Sequence, residues 1–155
     1  MSATSRKVSR IALAGLLSTA LIGVGKPTQE VLAYPPRKIT KSPLVFLRSA
    51  GRARRRRGIG QTKLLNRFRL EIMIYVAAAS AETEGPDPDE SADALDDIEA
   101  TVSDVLADNP SNAAWMLLNM LEEEMSNIYR LSAQDTGGKP YDVEIIPVEV
   151  EVYDS

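Results

Sequence analysis

The chain contains neither cysteine nor histidine. The first absence excludes disulfide bridges, thiolate metal sites and a cysteine nucleophile, and it fits a reducing compartment. The second removes the commonest general base and metal ligand near neutral pH. Carboxylates, Lys, Tyr, Ser and Thr are the catalysts that remain. Aromatics are scarce as well: one Trp, two Phe and five Tyr. The longest apolar run falls short of the ~20 residues that span a bilayer. What is there is ordinary: 155 residues, 44% hydrophobic and 26% charged. That is the size and texture of one globular domain, able to bury a core without metal or disulfide help.

Each of two long stretches lacks charge of one sign. Pro36 to Leu70 carries Arg37, Lys38, Lys41, Arg48, Arg52, Arg54, Arg55, Arg56, Arg57, Lys63, Arg67 and Arg69, and no acid. Leu70 to Tyr129 carries many acids and no Lys or Arg. The net charge of −4 hides this division. Such asymmetry speaks of partners rather than of fold. A self-associating protein satisfies both halves with copies of itself.

The N-terminal run from Ile11 to Val24, behind Arg6, Lys7 and Arg10, has two readings. It has the outline of a secretory signal. It is also a buried first helix over 5–24, capped by Ser5 and stopped by Gly23 or Gly25 before Pro27. Pattern alone leaves these about even, and the helix is the reading carried forward. Next come Glu30 to Tyr34 and the breaker Pro35-Pro36. Leu44 to Ser49 is a short strand candidate. Phe68, Leu70, Ile72, Ile74 and Val76 alternate with polar or larger neighbours, the clearest strand signal in the chain. These two strands predict a hairpin whose tip, 51–66, is a long basic loop.

Asp87-Pro88-Asp89-Glu90 has the grammar of a helix start. Leu95, Ile98, Val102, Val105 and Leu106 follow at spacings of three and four, and Asp108-Asn109-Pro110 ends the run, so an acidic amphipathic helix is expected over 87–108. Asn112 to Glu124 is expected as a second helical piece and Met125 to Leu131 as a strand. Thr136-Gly137-Gly138-Lys139 predicts a turn, and 141–153 the last strand. Within that strand the apolar parity slips beside Pro147, which predicts a bulge there. Helix, strands, helix, strands makes a single α+β domain, a mostly antiparallel sheet packed against two or three helices.

The arginines Arg52, Arg54, Arg55, Arg56 and Arg57 have three readings: phosphate neutralisation on nucleic acid, docking to an acidic protein surface, or a solvated tip. Interleaved aromatics for base stacking are missing. The acids of the helix, among them Asp93, Asp96, Asp97, Asp104 and Asp108, form either a solvated face or the docking counterpart. Asp104 and Asp108 sit near the helix C-terminus, against the dipole. The sharper reading sets Arg54 to Arg57 of one copy against Asp93, Asp96 and Asp97 of the next, a head-to-tail contact. Asp96-Asp97 and Glu122-Glu123-Glu124 are adjacent in sequence, so on a helix they point apart and make poor acid–base pairs. Gly58-Ile59-Gly60 lacks the spacing of a phosphate loop. Trp115 is a core or interface anchor, and Met116, Met120 and Met125 are packing residues. No catalytic residue, cofactor site or metal site is expected, and the chain is read as a protein that is not an enzyme.

In series these segments resemble the tail terminator and tail completion proteins of long-tailed bacteriophages. The first helix, Tyr34-Pro35-Pro36-Arg37, Ser42 to Phe46 running into Ser49-Ala50-Gly51 and a basic loop, Phe68 to Glu71, Ala94 to Glu99 and the closing Tyr141 to Val152 carry the likeness. It lies in order, length and texture over most of the chain. The resemblance implies a subunit that assembles into a six-fold ring at the head–tail junction of the virion, capping the tail tube and stopping its growth. The partners implied are further copies, the tail tube protein and a head-completion or neck protein, with DNA in the lumen and no membrane. A neck adaptor, or a nucleic-acid module using the arginines, is the alternative.

Overall fold

The computed structural model describes residues 5–56, 64–78, 88–120, 126–132 and 138–153. Its elements run α1 (Arg6–Leu21), β1 (Glu30–Leu32), β2 (Leu44–Arg56), β3 (Leu64–Ala77), α2 (Pro88–Asp108), β4 (Leu117–Met120), β5 (Asn127–Leu131) and β6 (Tyr141–Tyr153). The fold is α+β, a six-stranded and mostly antiparallel sheet with two helices. The strand order is β1-β2-β3-β6-β4, and β5 also pairs with β6. Among the described residues, only the β1–β2 pair is parallel.

α1 begins where Ser5 accepts a hydrogen bond from Val8 N, and ends at Leu21 before Gly23 and Gly25, both at positive φ. The positive φ is where glycine is needed to turn the chain out of a helix. Leu13, Ala14, Leu17 and Leu21 are buried against the sheet, so the N-terminal apolar run is a core helix. α2 buries Leu95, Ile98, Val102 and Leu106 on the same side, the stripe that helical spacing selects. Its expected cap, Asp87, lies outside the described residues. So do Thr136 and Gly137 of the expected turn, and Gly58-Ile59-Gly60.

Two clusters hold the sheet. The larger joins both helices to Val45, Leu47, Phe68, Leu70, Ile72, Ile74, Val76, Val148, Val150 and Val152. The smaller lies on the opposite face, at one end only: Leu44, Phe46, Met73, Val143 and Tyr141. There Tyr75 stands between Phe46 and Tyr141, with ring centroids 5.3 Å and 6.0 Å away.

Three expectations are corrected. The segment 51–66 is not a loop over its described length. β2 and β3 continue pairing out to Arg56↔Leu64, because backbone pairing tolerates arginines whose heads reach water. The bulge is not at Pro147. The β3–β6 ladder runs unbroken from Ala77↔Tyr141 to Leu65↔Tyr153, and the register shift falls in β2 between Ser49 and Gly51. The parity change in β6 arises because Tyr141, Val143 and Ile145 face the small cluster, whereas Ile146, Val148, Val150 and Val152 face the helices. Pro147 stands between the stretch of β6 paired with β5, up to Ile145, and the stretch paired with β4, from Val148, so its missing N–H falls where no outer strand needs it. Finally, 112–120 is not helical. Asn112 Oδ1 accepts from Ala114 N at 2.7 Å and Trp115 N at 3.1 Å, a side-chain turn that competes with a helix. Leu117–Met120 then takes the edge of β6. Of the strand expected at Met125 to Leu131, Asn127–Leu131 is present as β5, and Met125 lies outside the described residues.

Candidate functional site

The sheet positions the expected contact residues at its two ends. Arg52 is level with Phe68 and Arg54 with Asn66, at the β2–β3 hairpin end. Both arginines are exposed, and among the described residues neither makes an ion pair. Arg55 and Arg56 continue the same strand, level with Leu65 and Leu64. Arg57 lies outside the described residues. The N-terminus of α1 comes to this end too. Arg10 Nη1 donates to Ser49 Oγ at 2.7 Å, and Ser9 Oγ donates to Ala114 O at 3.1 Å. Arg6, Lys7 and Arg10 therefore join the arginines of β2 at one end of the molecule, a grouping that linear distance concealed.

Asp93, Asp96 and Asp97 are exposed on the first half of α2. That half lies at the other end of the sheet, where Ser91 Oγ donates to Asp142 Oδ2 at 3.2 Å. Asp142 is level with Val76 and Arg54 with Asn66, so at ~3.3 Å per residue about 33 Å of strand separates them. Arg52 and Arg54 therefore do not meet Asp93, Asp96 or Asp97 within one chain. Asp104 and Asp108 are exposed near the C-terminus of α2, and Ala114, six residues beyond that end, accepts the hydrogen bond from Ser9 of α1.

The acidic end contains one residue that sequence reading passed over. Glu144 is 2% exposed and lies on the helix side of β6. Burial raises its pKa above the ordinary range; the hydrogen bond from Ser126 opposes this, and the nearby charges of Glu99 and Asp96 add to it. The signal available in the sequence was a lone acid between Val143 and Ile145. Beside it, Arg130 Nε donates to Asp142 Oδ1 at 2.8 Å.

Between the two ends, the face opposite the helices carries a ladder of charge. Arg48 Nε donates to Glu71 Oε1 at 2.8 Å, and Arg67 reaches Glu151 at 3.0 Å and Glu149 at 3.8 Å. These are half-exposed pairs of opposite sign on neighbouring strands, each contributing ~0–1 kcal/mol. Among the described residues, no group of three or more acids is placed to hold a metal ion, and no helix is long and apolar enough to cross a membrane. Trp115 is 1% exposed, and its Nε1 donates to Asn109 O at 3.1 Å, so it is an anchor of the core. Met116, expected as a packing residue, is instead exposed just before β4. Compared with the models of known protein families and with curated proteins, the chain matches none.

Proposed function

We propose that the protein is a structural subunit that acts by self-assembly. On its resemblance to tail terminators, it forms a ring that caps a phage tail tube, stops the tube's polymerisation and joins the tail to the neck of the head in the virion. The observation that carries this reading is the placing of the two unlike charge groups at opposite ends of one sheet. A chain whose Arg52 and Arg54 stand at the other end of the sheet from its own Asp93, Asp96 and Asp97 can neutralise them with another copy. Copies set end to end bring Arg52 and Arg54 to Arg57 of one against Asp93, Asp96 and Asp97 of the next. This heterologous contact yields a ring when the rotation closes. The mechanism is geometric and no residue is assigned a catalytic role. One face of the ring matches the tube end, and the other offers no surface on which the tube continues.

Charge reversal tests the contact. Changing Arg54 to Arg57 to Glu weakens assembly, and changing Asp93, Asp96 and Asp97 to Lys in the same chain partly restores it, read by sedimentation velocity. A double reversal no better than the single one refutes this pairing.

A further inference from the structure

β1 covers β2 only from Leu44 to Phe46. Beyond it, among the described residues, no strand pairs with the outer edge of β2 from Leu47 to Arg56, and Arg48, Ala50, Arg52, Ala53 and Arg54 are exposed there. The opposite edge of the sheet, at the same level, is closed: β4 lies outside β6, and Leu118 N of β4 donates to Pro110 O at 2.8 Å. An unpaired strand edge presents a row of donors and acceptors that templates another strand.

We infer that this edge of β2 is a docking site for an extended acidic peptide segment, which adds to the sheet as a further strand. This goes beyond the ring reading and does not depend on it; because Arg52 and Arg54 also serve the proposed subunit contact, a bound strand competes with that contact. Three observations select the occupant. The side chains of Arg52 and Arg54 are two residues apart, so they share one face of the sheet and meet acids at alternate positions of an incoming strand. Gly51 and Ala53 take the other face between them, and their small side chains leave room for bulky residues at the intervening positions. Arg10 adds a third cation at Ser49 on the same edge, and its Nε is buried without an acceptor.

The same charges decide against two other occupants. Antiparallel pairing of β2 with its own copy about Ala53 would set Arg52 directly beside the partner's Arg54, a like-charge pair that opposes association. Nucleic acid would satisfy the guanidinium groups, but the edge carbonyls would then face phosphate oxygens, and Leu47 to Arg56 contains no aromatic residue to stack a base. An acidic strand satisfies the cations and both kinds of backbone group together, the β-augmentation mode of peptide recognition. The bulge and the arginines are common protections of an edge strand; here they also act as a filter on what pairs.

The test uses the full chain and a labelled short peptide that alternates Glu with Thr, followed by fluorescence anisotropy at low salt. The peptide binds, its Lys counterpart does not, and the R52E/R54E variant, its fold checked by circular dichroism, loses about tenfold or more in affinity (1.4 kcal/mol). N-methylating one alternate set of peptide amides abolishes binding while methylating the other set spares it, since only one set faces β2. Amide exchange slows between Leu47 and Arg56 when the peptide is bound. Binding that is indifferent to both sets of N-methyl groups, or a DNA oligonucleotide bound in preference to the acidic peptide, overturns the inference. A chain that stays monomeric with tail tube protein absent and present, yet binds the peptide in this way, contradicts the ring and leaves the edge site standing.

Discussion

The two ends of the β2–β3–β6 ladder share strands and register but not surroundings. At the end holding Leu44, Tyr75 and Val143, β2 and β3 are buried on both faces, and their sequences are nearly continuous apolar runs, Leu44-Val45-Phe46-Leu47 and Ile72-Met73-Ile74-Tyr75-Val76. At the hairpin end only the helix side is buried. The sequence there alternates, as in Arg67-Phe68-Arg69-Leu70 and Val148-Glu149-Val150-Glu151-Val152. One sheet thus carries both patterns, and the place where one changes to the other marks where the small cluster stops. The two ends also differ in charge, basic at the hairpin and acidic at the start of α2.

The sharpest way to break this comparison is along one face of one strand. Phe46 and Arg48 are two residues apart on β2, level with Met73 and Glu71 respectively. Phe46→Ala empties the small cluster and is expected to cost about 3–5 kcal/mol in chemical denaturation. Arg48→Ala removes a pair whose guanidinium is nearly half exposed, and is expected to cost ~0–1 kcal/mol. Equal losses would mean that the two ends are not different environments.

Glu144 sharpens the comparison on the acidic side. Its carboxyl holds a proton more tightly in the folded chain than in the unfolded one. The associated stability is fully present below the ordinary glutamate range and is lost as pH rises through the raised folded value. Glu144→Gln removes that loss. The melting temperature of the variant should exceed that of the wild type by a margin that widens from acid to neutral pH, at about 2–4 °C per kcal/mol recovered. A margin that stays flat with pH would contradict the assignment. The smallest effect belongs to the open face at the hairpin end. Arg67→Met should shift stability within about 1 kcal/mol, and high salt should erase most of the difference.

Much of this fold is legible in the residues. The helical spacing of Leu95, Ile98 and Val102 names the buried stripe of α2, and the alternation from Phe68 to Val76 names the helix side of β3. Three things are not. The ladder beyond Gly51 is hidden because a run of arginines looks the same in a solvated loop and in an exposed edge strand. β4 is hidden because Trp115, Leu118 and Leu121 also fit a helical spacing; the side-chain bonds of Asn112 to the backbone turn the chain before β4, and no periodicity records them. The parity change in β6 is visible, but without knowing that clusters occupy both faces it looks like a bulge at Pro147. Of the candidate contact residues, the sequence identifies both charge groups, while their separation to opposite ends of the sheet, and the arrival of Arg10 beside β2, depend on topology.

The proposed function is assembly, and mass in solution tests it most directly. Light scattering at high protein concentration and low salt should be run with tail tube protein absent and then present. A closed oligomer, formed by the chain alone or on meeting the tube, is the predicted result. A monomer under both conditions would contradict the ring, and if that monomer retained DNA with affinity falling steeply in salt, the arginines would belong to a nucleic-acid surface instead.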